Sequence, residues 1–273
     1  MSSSLIDGQP GASVPIDDRG LLYGDHLFET IAFHQGQAPL WNRHWRRLVH
    51  GCGILGMDPP SEQIALTECQ SAAGSSDSRV VRITLTRGSG GKAYWPDPDQ
   101  PVRRIVQARR WPDGLAAARK DGLNLVTSRV RLASGSVLAG LKHGNRLEQV
   151  LAARDCAEQG GDEALLYDNL DRLVEAIASN LLLVIDQQCV TPLADSGVAG
   201  VGLEWLMDQA ETDIVAAAIS HRDAARASAV MVINSVTGIR PGRSLDGRPL
   251  DIGEPCRFMQ QLWTRRLNSP CDS

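Results

Sequence analysis

Apolar and polar positions alternate with a period of two over residues 80–86, which predicts a strand, and similar runs cover residues 27–34 and 102–108. Residues 5–11 read as a strand entering a turn at Asp7-Gly8, and Gln35-Gly36 reads as the turn of a hairpin whose return arm is 37–41. The period then changes. Trp45, Leu48, Val49 and Cys52 share one face of a helix predicted over 44–55, with Asn42 as its cap and Arg43, Arg46, Arg47 and His50 off that face. Ser61 is placed to cap a second helix over 61–71. Gly88-Ser89-Gly90-Gly91 forces a loop, and the irregular stretch 109–114 marks a domain boundary. Beyond it the pattern predicts strands at 123–129, 163–167, 173–175, 180–185 and 230–234, and helices at 145–158, 200–210 and 255–267. Neighbouring strands with few helices between them predict an α+β arrangement, with domains at 1–109 and 119–273 joined by a linker at 110–118.

Composition narrows the function. A chain of 273 residues with 42% hydrophobic and 22% charged residues can bury a large core, and a net charge of -4 gives no bias toward nucleic acid or anionic membrane. Any anion site is therefore local. The N-terminal residues are short and polar and no apolar run reaches transmembrane length, so a cytoplasmic protein is expected. Cys52, Cys69, Cys156, Cys189, Cys256 and Cys271 are scattered without close pairs, which argues against a metal site or a disulfide framework.

Two glycine motifs fail their structural tests. Gly51-Cys52-Gly53-Ile54-Leu55-Gly56 ends a helix where a dinucleotide site needs a strand, and Gly88-Ser89-Gly90-Gly91-Lys92 lacks the upstream glycine and trailing Ser or Thr of a phosphate loop. Lys142 follows Val137, Leu138, Ala139 and Leu141, surroundings that disfavour an ammonium and suit a Schiff-base lysine, although the same pattern fits a surface loop. Glu175 lies between Leu173-Val174 and Ala176-Ile177-Ala178, where a carboxylate requires a cationic partner, either a pyridinium or an arginine. The glycine-rich run from Asp195 to Gly202 leads into a helix whose first N–H groups could bind a phosphate or merely start a helix. Arg47, about one turn into its helix, offers a second phosphate ligand.

Four ordered segments carry a resemblance: Asp18-Arg19-Gly20-Leu21-Leu22-Tyr23-Gly24-Asp25-His26-Leu27-Phe28-Glu29-Thr30, His44-Trp45-Arg46-Arg47-Leu48, the stretch around Lys142, and Glu175-Ala176-Ile177-Ala178-Ser179-Asn180-Leu181. Together they resemble the class IV pyridoxal-phosphate aminotransferases. Within that family, Arg87 to Tyr94, Leu138 to His143 and Asn145 to Val150 look most like the aminodeoxychorismate lyases. The resemblance implies a two-domain α/β fold of the D-amino-acid and branched-chain aminotransferase type, a homodimer, and pyridoxal 5'-phosphate as cofactor. It also implies a small-molecule substrate made by a neighbouring enzyme, aminodeoxychorismate synthase. By the same resemblance Lys142 carries the cofactor and Glu175 meets its ring nitrogen. Arg47, Asn180, Val201, Gly202, Asn234 and Ser235 complete cofactor binding, and Tyr23, His26, Arg87, Lys92 and Tyr94 face the substrate. The implied reaction is elimination of pyruvate from 4-amino-4-deoxychorismate to leave 4-aminobenzoate; transamination of D- or branched-chain amino acids is the alternative. His26 departs from the family, standing where a glycine is common.

Overall fold

A computed structural model describes residues 4–11, 13–75, 78–193, 195–209, 211 and 213–266; Cys271 and the helix ends expected at Ala210 and Leu267 lie outside them. The chain divides into two compact units. Among the described residues, the first runs to Trp111 and includes Leu141–Asn145; the second holds Pro112–Gly140 and residues 146–266.

The first unit contains β1 (Ser4–Ile6), β2 (Gln9–Pro10), α1 (Arg19–Tyr23), β3 (His26–Phe33), α2 (Trp41–Leu55), α3 (Glu62–Ala73), β4 (Arg79–Thr86) and β5 (Arg103–Arg110). Its sheet is antiparallel in the order β2-β1-β5-β4-β3, so β3 is an edge strand. Strand alternation sorts the side chains. Leu27, Ile31 and Phe33 join Val81, Ile83, Leu85, Val106 and Ala108 in a core closed by Leu48 and Cys52 of α2 and Ala65 and Cys69 of α3. Phe28 and Thr30 belong to the other face, where Thr30 pairs with Arg82.

The turns at Asp7-Gly8 and Gln35-Gly36 have the expected positive φ values, 50° and 79° and 51° and 77°. The hairpin arm expected after Gly36 is a single bridge between His34 and Gln37, because Trp41 already opens α2. Asn42 is therefore inside the helix, which starts at Leu40 without a side-chain cap. The buried face of α2 is Trp41, His44, Leu48, Gly51 and Cys52, and Val49 is more than a third exposed. Ser61 caps α3 as expected, accepting from Ile64 N at 3.4 Å.

The second unit contains α4 (Leu115–Asp121), β6 (Leu123–Leu132), α5 (Leu147–Glu158), β7 (Glu163–Asp168), β8 (Leu173–Ala176), β9 (Asn180–Ile185), β10 (Gln188–Pro192), α6 (Val201–Met207), β11 (Ile214–Ala217), α7 (His221–Arg226), β12 (Ala229–Asn234), β13 (Gly238–Leu245), β14 (Arg248–Pro249) and α8 (Glu254–Arg265). Its sheet runs β11-β10-β9-β12-β13-β6-β7-β8, with β14 on β13. Most pairs are antiparallel, but β6 pairs in parallel with both β7 and β13, β10 pairs in parallel with β11, and α5 is the crossover from β6 to β7. No helix among the described residues is long and apolar enough to cross a membrane.

Before Lys142, residues 137–139 form a turn, Val137 is 90% exposed, and Gly140 bridges to Val198. Lys142 to Gly144 then extend the sheet of the first unit: Phe28 N donates to Lys142 O and Gly144 N to His26 O, both at 3.0 Å, with Leu27 bridging His143. This pairing groups the lysine with the first unit, whereas the sequence had assigned it to a C-terminal domain. Helix α5 starts two residues later than expected, because Asn145 instead bonds Gly24 O and the His143 ring.

Asp18 anchors the first unit. It is fully buried, caps α1 through Gly20 N at 2.8 Å, accepts the Thr86 hydroxyl at 2.9 Å, and pairs with Arg103. Asp18→Ala should destabilise the fold by about 3–5 kcal/mol, since the largely buried Arg103 loses its hydrogen-bonded carboxylate and keeps only the longer pair with Asp7 at 3.8 Å, while Gly20 N and the Thr86 hydroxyl lose their acceptor. Urea unfolding checks this, and a loss below about 1 kcal/mol would contradict it.

Candidate functional site

The edge pairing of β3 brings Lys142 beside Phe28. The amine Nζ lies 4.6 Å from the centre of the Phe28 ring, and the Arg82 guanidinium carbon lies 3.6 Å from the same centre. The two cations are thus no more than about 8 Å apart. Arg82 is partly buried, its Nε donates to Thr84 Oγ1 at 3.2 Å, and among the described residues it makes no ion pair with a carboxylate. Burial first, then the nearby Arg109 charge, lowers its pKa. An arginine so held is poised to accept an anion. The sequence reading missed it, although a charge in the alternating run Val80-Val81-Arg82-Ile83 was a visible signal.

On the opposite face of β3, Glu29 occupies a core position and is 1% exposed. A carboxylate there needs partners. Helix α2 supplies two of them one turn apart: Arg47 donates Nε to Oε1 at 2.8 Å and Nη2 to Oε2 at 2.6 Å, and His44 Nδ1 donates to Oε2 at 2.6 Å. Burial opposes ionisation of Glu29, but the Arg47 charge and the two sets of hydrogen bonds outweigh it and hold its pKa at about 2. His44 is kept neutral: burial lowers its pKa, and the Arg47 and Lys142 charges add to this against the pull of Glu29. Its Nε2 is buried without a hydrogen-bond partner. Arg47 was expected here, but Glu29 and His44 were not.

Four of the five substrate-side candidates fall near one another, each supported differently. His26 donates Nδ1–H to Gly20 O at 3.2 Å and packs on Gly144, where an added Cβ would come within 2.0 Å of the ring. Burial holds its pKa below the ordinary histidine value. Tyr23 and Tyr94 have ring centres 5.5 Å apart. Lys92 is exposed in a tight turn closed by reciprocal bonds with Trp95, and Arg19 pins that turn through Ala93 O at 2.7 Å and Tyr94 O at 3.3 Å. Arg87 is different. Its three nitrogens bind Asp25 at 2.8 Å, Gly56 O at 2.9 Å and Leu55 O at 2.6 Å, so it closes the C-terminus of α2 and is withdrawn as a substrate ligand.

In the second unit, Glu175 of β8 is 5% exposed. Its Oε2 accepts Val198 N–H at 2.8 Å and its Oε1 accepts the Gln149 amide at 3.3 Å. The loop bearing Val198 has no room for a side chain at Gly197 or Gly200. A Cβ on Gly197 would lie 2.8 Å from Glu175 Oε2, and one on Gly200 would overlap Asn180, at 1.6 Å. Asn180 holds the loop by donating to Val198 O at 2.9 Å. Gly202, in the first turn of α6 after the buried Val201, faces the turn after β12: a Cβ there would stand 3.3 Å from Ser235 N. Asn234 shapes that turn, its Oδ1 accepting from Val236 N, Thr237 N and Thr237 Oγ1. Both asparagines thus shape the backbone, while Val201, Gly202 and Ser235 converge.

Comparison with known proteins agrees with this architecture. The description "amino-transferase class IV" matches residues 26–245, and the chain belongs to that family, with its two-domain fold. It is similar to an aminodeoxychorismate lyase of Vibrio harveyi, with 31% identity over 264 residues, 93% of this chain and 97% of the relative. The structure of 4-amino-4-deoxychorismate lyase from Pseudomonas aeruginosa superimposes with a TM-score of 0.88 at 37% identity, covering 97% of this chain and 100% of that one. A hypothetical aminotransferase from Mycobacterium tuberculosis, in a PLP-bound form, shares the fold at a TM-score of 0.85 and 20% identity, covering 97% and 98%.

The depressed pKa of Glu29 makes a pH-dependent contribution to stability. The ionised, paired carboxylate stabilises the fold above its unfolded value of 4.5, and this is lost as pH falls through about 2. The stability gap between the native protein and Glu29→Gln, measured by urea unfolding, should therefore be full at pH 7 and close progressively below pH 4.5. A gap independent of pH over that window would contradict the assignment.

Proposed function

We propose that this chain is a pyridoxal-phosphate-dependent lyase that converts 4-amino-4-deoxychorismate to 4-aminobenzoate and pyruvate. The observation that carries the reading is the shared ring of Phe28, which sets the Lys142 amine beside a guanidinium ready for a carboxylate. Similarity to two lyases over nearly their full lengths, at 31% and 37% identity, favours elimination over the transamination of D- or branched-chain amino acids that family membership alone would also allow.

The residues present fit the cofactor. Lys142 offers an amine, Arg47 a partly buried cation, and Glu175 a buried carboxylate that accepts from Val198 N–H and the Gln149 amide. The close approach of Gly202 to Ser235 is a backbone cradle that a Cβ would fill. In this reading Arg47, Val201, Gly202 and Ser235 hold the phosphate, with Asn180 and Asn234 shaping the loops around it. Glu29 and His44 keep Arg47 aimed. Bound there, pyridoxal phosphate supplies an electron sink for the pair released when a carbon–hydrogen bond breaks.

Lys142 takes the proton from the substrate carbon bearing nitrogen, a step that needs a neutral amine. Glu175 holds a proton at the cofactor ring nitrogen, which keeps the sink effective. The bond from the substrate ring to the enolpyruvyl oxygen then breaks, the departing group gains a proton at its methylene carbon to become pyruvate, and the remaining ring becomes aromatic. Arg82 binds a substrate carboxylate, and Lys92, Tyr23, Tyr94 and His26 line the approach. The reading includes a cytoplasmic homodimer supplied by aminodeoxychorismate synthase.

Substrate made in place by that synthase from chorismate and glutamine should yield 4-aminobenzoate and pyruvate. Brisk transamination of D-alanine with 2-oxoglutarate, and no 4-aminobenzoate, would replace the lyase with the aminotransferase. Lys142→Ala should abolish turnover and the visible absorbance of the bound cofactor; retention of both overturns the assignment. Arg82→Gln should raise KM about tenfold or more and leave that absorbance in place, as expected for loss of a charge-assisted bond to substrate. An unchanged KM would remove Arg82 from the site.

A further inference from the structure

Arg19 opens α1 and is 5% exposed, although the segment it binds is open to solvent. Its Nε donates to Asp25 Oδ2 at 3.0 Å, and its two terminal nitrogens donate to consecutive carbonyls, Ala93 O at 2.7 Å and Tyr94 O at 3.3 Å. Four residues on, and so on the same face of the helix, the centre of the Tyr23 ring lies 4.9 Å from the guanidinium carbon. The Tyr94 ring meets that of Tyr23 at 5.5 Å and 56°. One buried guanidinium therefore holds both aromatic residues, Tyr23 by its ring and Tyr94 by its backbone.

The core of the first unit does not need this turn. Tyr94 is 78% exposed and Trp95 72%, and the carbonyls of an exposed turn bond to water equally well. Within the turn that Lys92 and Trp95 close, Ala93 sits at φ 50°, a left-handed conformation that a non-glycine residue adopts under constraint. Asp25 is the fixed point behind it. Its Oδ2 also accepts Arg87 Nε at 2.8 Å, and Arg87 is tied to the end of α2. The planar fork of an arginine serves a carboxylate and two carbonyls at set angles, which the single ammonium of a lysine does not. The outcome is a pair of aromatic rings kept in one relation at the surface, which suits a flat ring better than an aliphatic side chain.

We propose that Arg19 is a positioning residue that sets substrate specificity, holding Tyr94 against Tyr23 so that the pair forms a wall for an unsaturated six-membered ring. This rests on the proposal that Tyr23 and Tyr94 line the approach of the substrate. Arg19→Met raises KM for 4-amino-4-deoxychorismate about threefold to tenfold, the size of one aromatic contact. Its kcat stays within about twofold, because the wall is met equally by the bound and the reacting substrate. The variant strands no carboxylate, since Asp25 keeps Arg87, and the two carbonyls turn to water.

The test uses the full-length protein with pyridoxal phosphate as native, Arg19→Met, Arg19→Lys, Tyr94→Ala and doubly substituted Arg19→Met, Tyr94→Ala forms. Steady-state kinetics, cofactor titration by absorbance, thermal unfolding and trypsin cleavage after Lys92 are measured on each. Support is a raised KM in Arg19→Met and in Tyr94→Ala, with a double variant that falls short of the product of the two effects. Arg19→Lys should lie between native and Arg19→Met, and Arg19→Met should bind cofactor as the native protein does while being cut after Lys92 severalfold faster. The proposal is overturned if Arg19→Met keeps the native KM while Tyr94→Ala raises it, if the two effects multiply, or if Arg19→Met loses kcat and thermal stability together. A native KM in Tyr94→Ala, with 4-aminobenzoate still formed, would instead remove Tyr94 from the substrate's path, and this inference with it.

Discussion

Two backbone hydrogen bonds, from Phe28 to Lys142 and from Gly144 to His26, determine where the amine of Lys142 stands. A lysine on a free loop would carry its four-carbon stem through many rotamers; here the loop is an added rung on the open edge of β3. The rung depends on its neighbours. His26 packs on Gly144 so closely that no side chain fits there, and the turn before Lys142 is held by the bond from Gly140 N to Gly197 O. The Lys142 amine thus inherits the rigidity of a sheet without being part of its core.

Charge is arranged around that rung in a consistent way. Three buried carboxylates are multiply bonded: Asp18 by Arg103, Thr86 and Gly20, Glu29 by Arg47 and His44, and Glu175 by Val198 and Gln149 among its partners. Ion pairs buried this way add little net stability but fix geometry, because any other arrangement strands a charge. Arg82 is the contrast. It is buried in part, rests on Phe28 and lacks a carboxylate among the described residues, which is the signature expected of a cation reserved for a ligand.

Much of this was legible in the sequence, and the limits have physical causes. Period-two alternation gave β3, β4 and β5 within about two residues, since one face of each must be apolar. Ser61 announced α3 because a hydroxyl before a helix has one obvious use. Strand β13 was hidden by Gly238, Pro241 and Gly242, and α4 follows Pro112 and Gly114, which suggested a linker. Of the candidate residues, Lys142, Arg47 and Glu175 were visible as charges in apolar settings. Glu29, His44, Arg82 and Gln149 were not singled out, because their meaning comes from contacts across strands and helices that no local window contains. Arg87 shows the reverse error: a conspicuous arginine beside a glycine loop that the fold uses to close a helix.

The central claim is that Lys142 is the amine that carries the cofactor and moves the proton. Lys92, Lys120 and Lys142 are the lysines of this chain, which makes the claim directly measurable. The protein would be loaded with pyridoxal phosphate, reduced with borohydride, digested and mapped by mass spectrometry. The account predicts a phosphopyridoxyl mass on Lys142 at near one equivalent per chain, with Lys92 and Lys120 unlabelled. Label on either of those residues in its place, or on none, would contradict it.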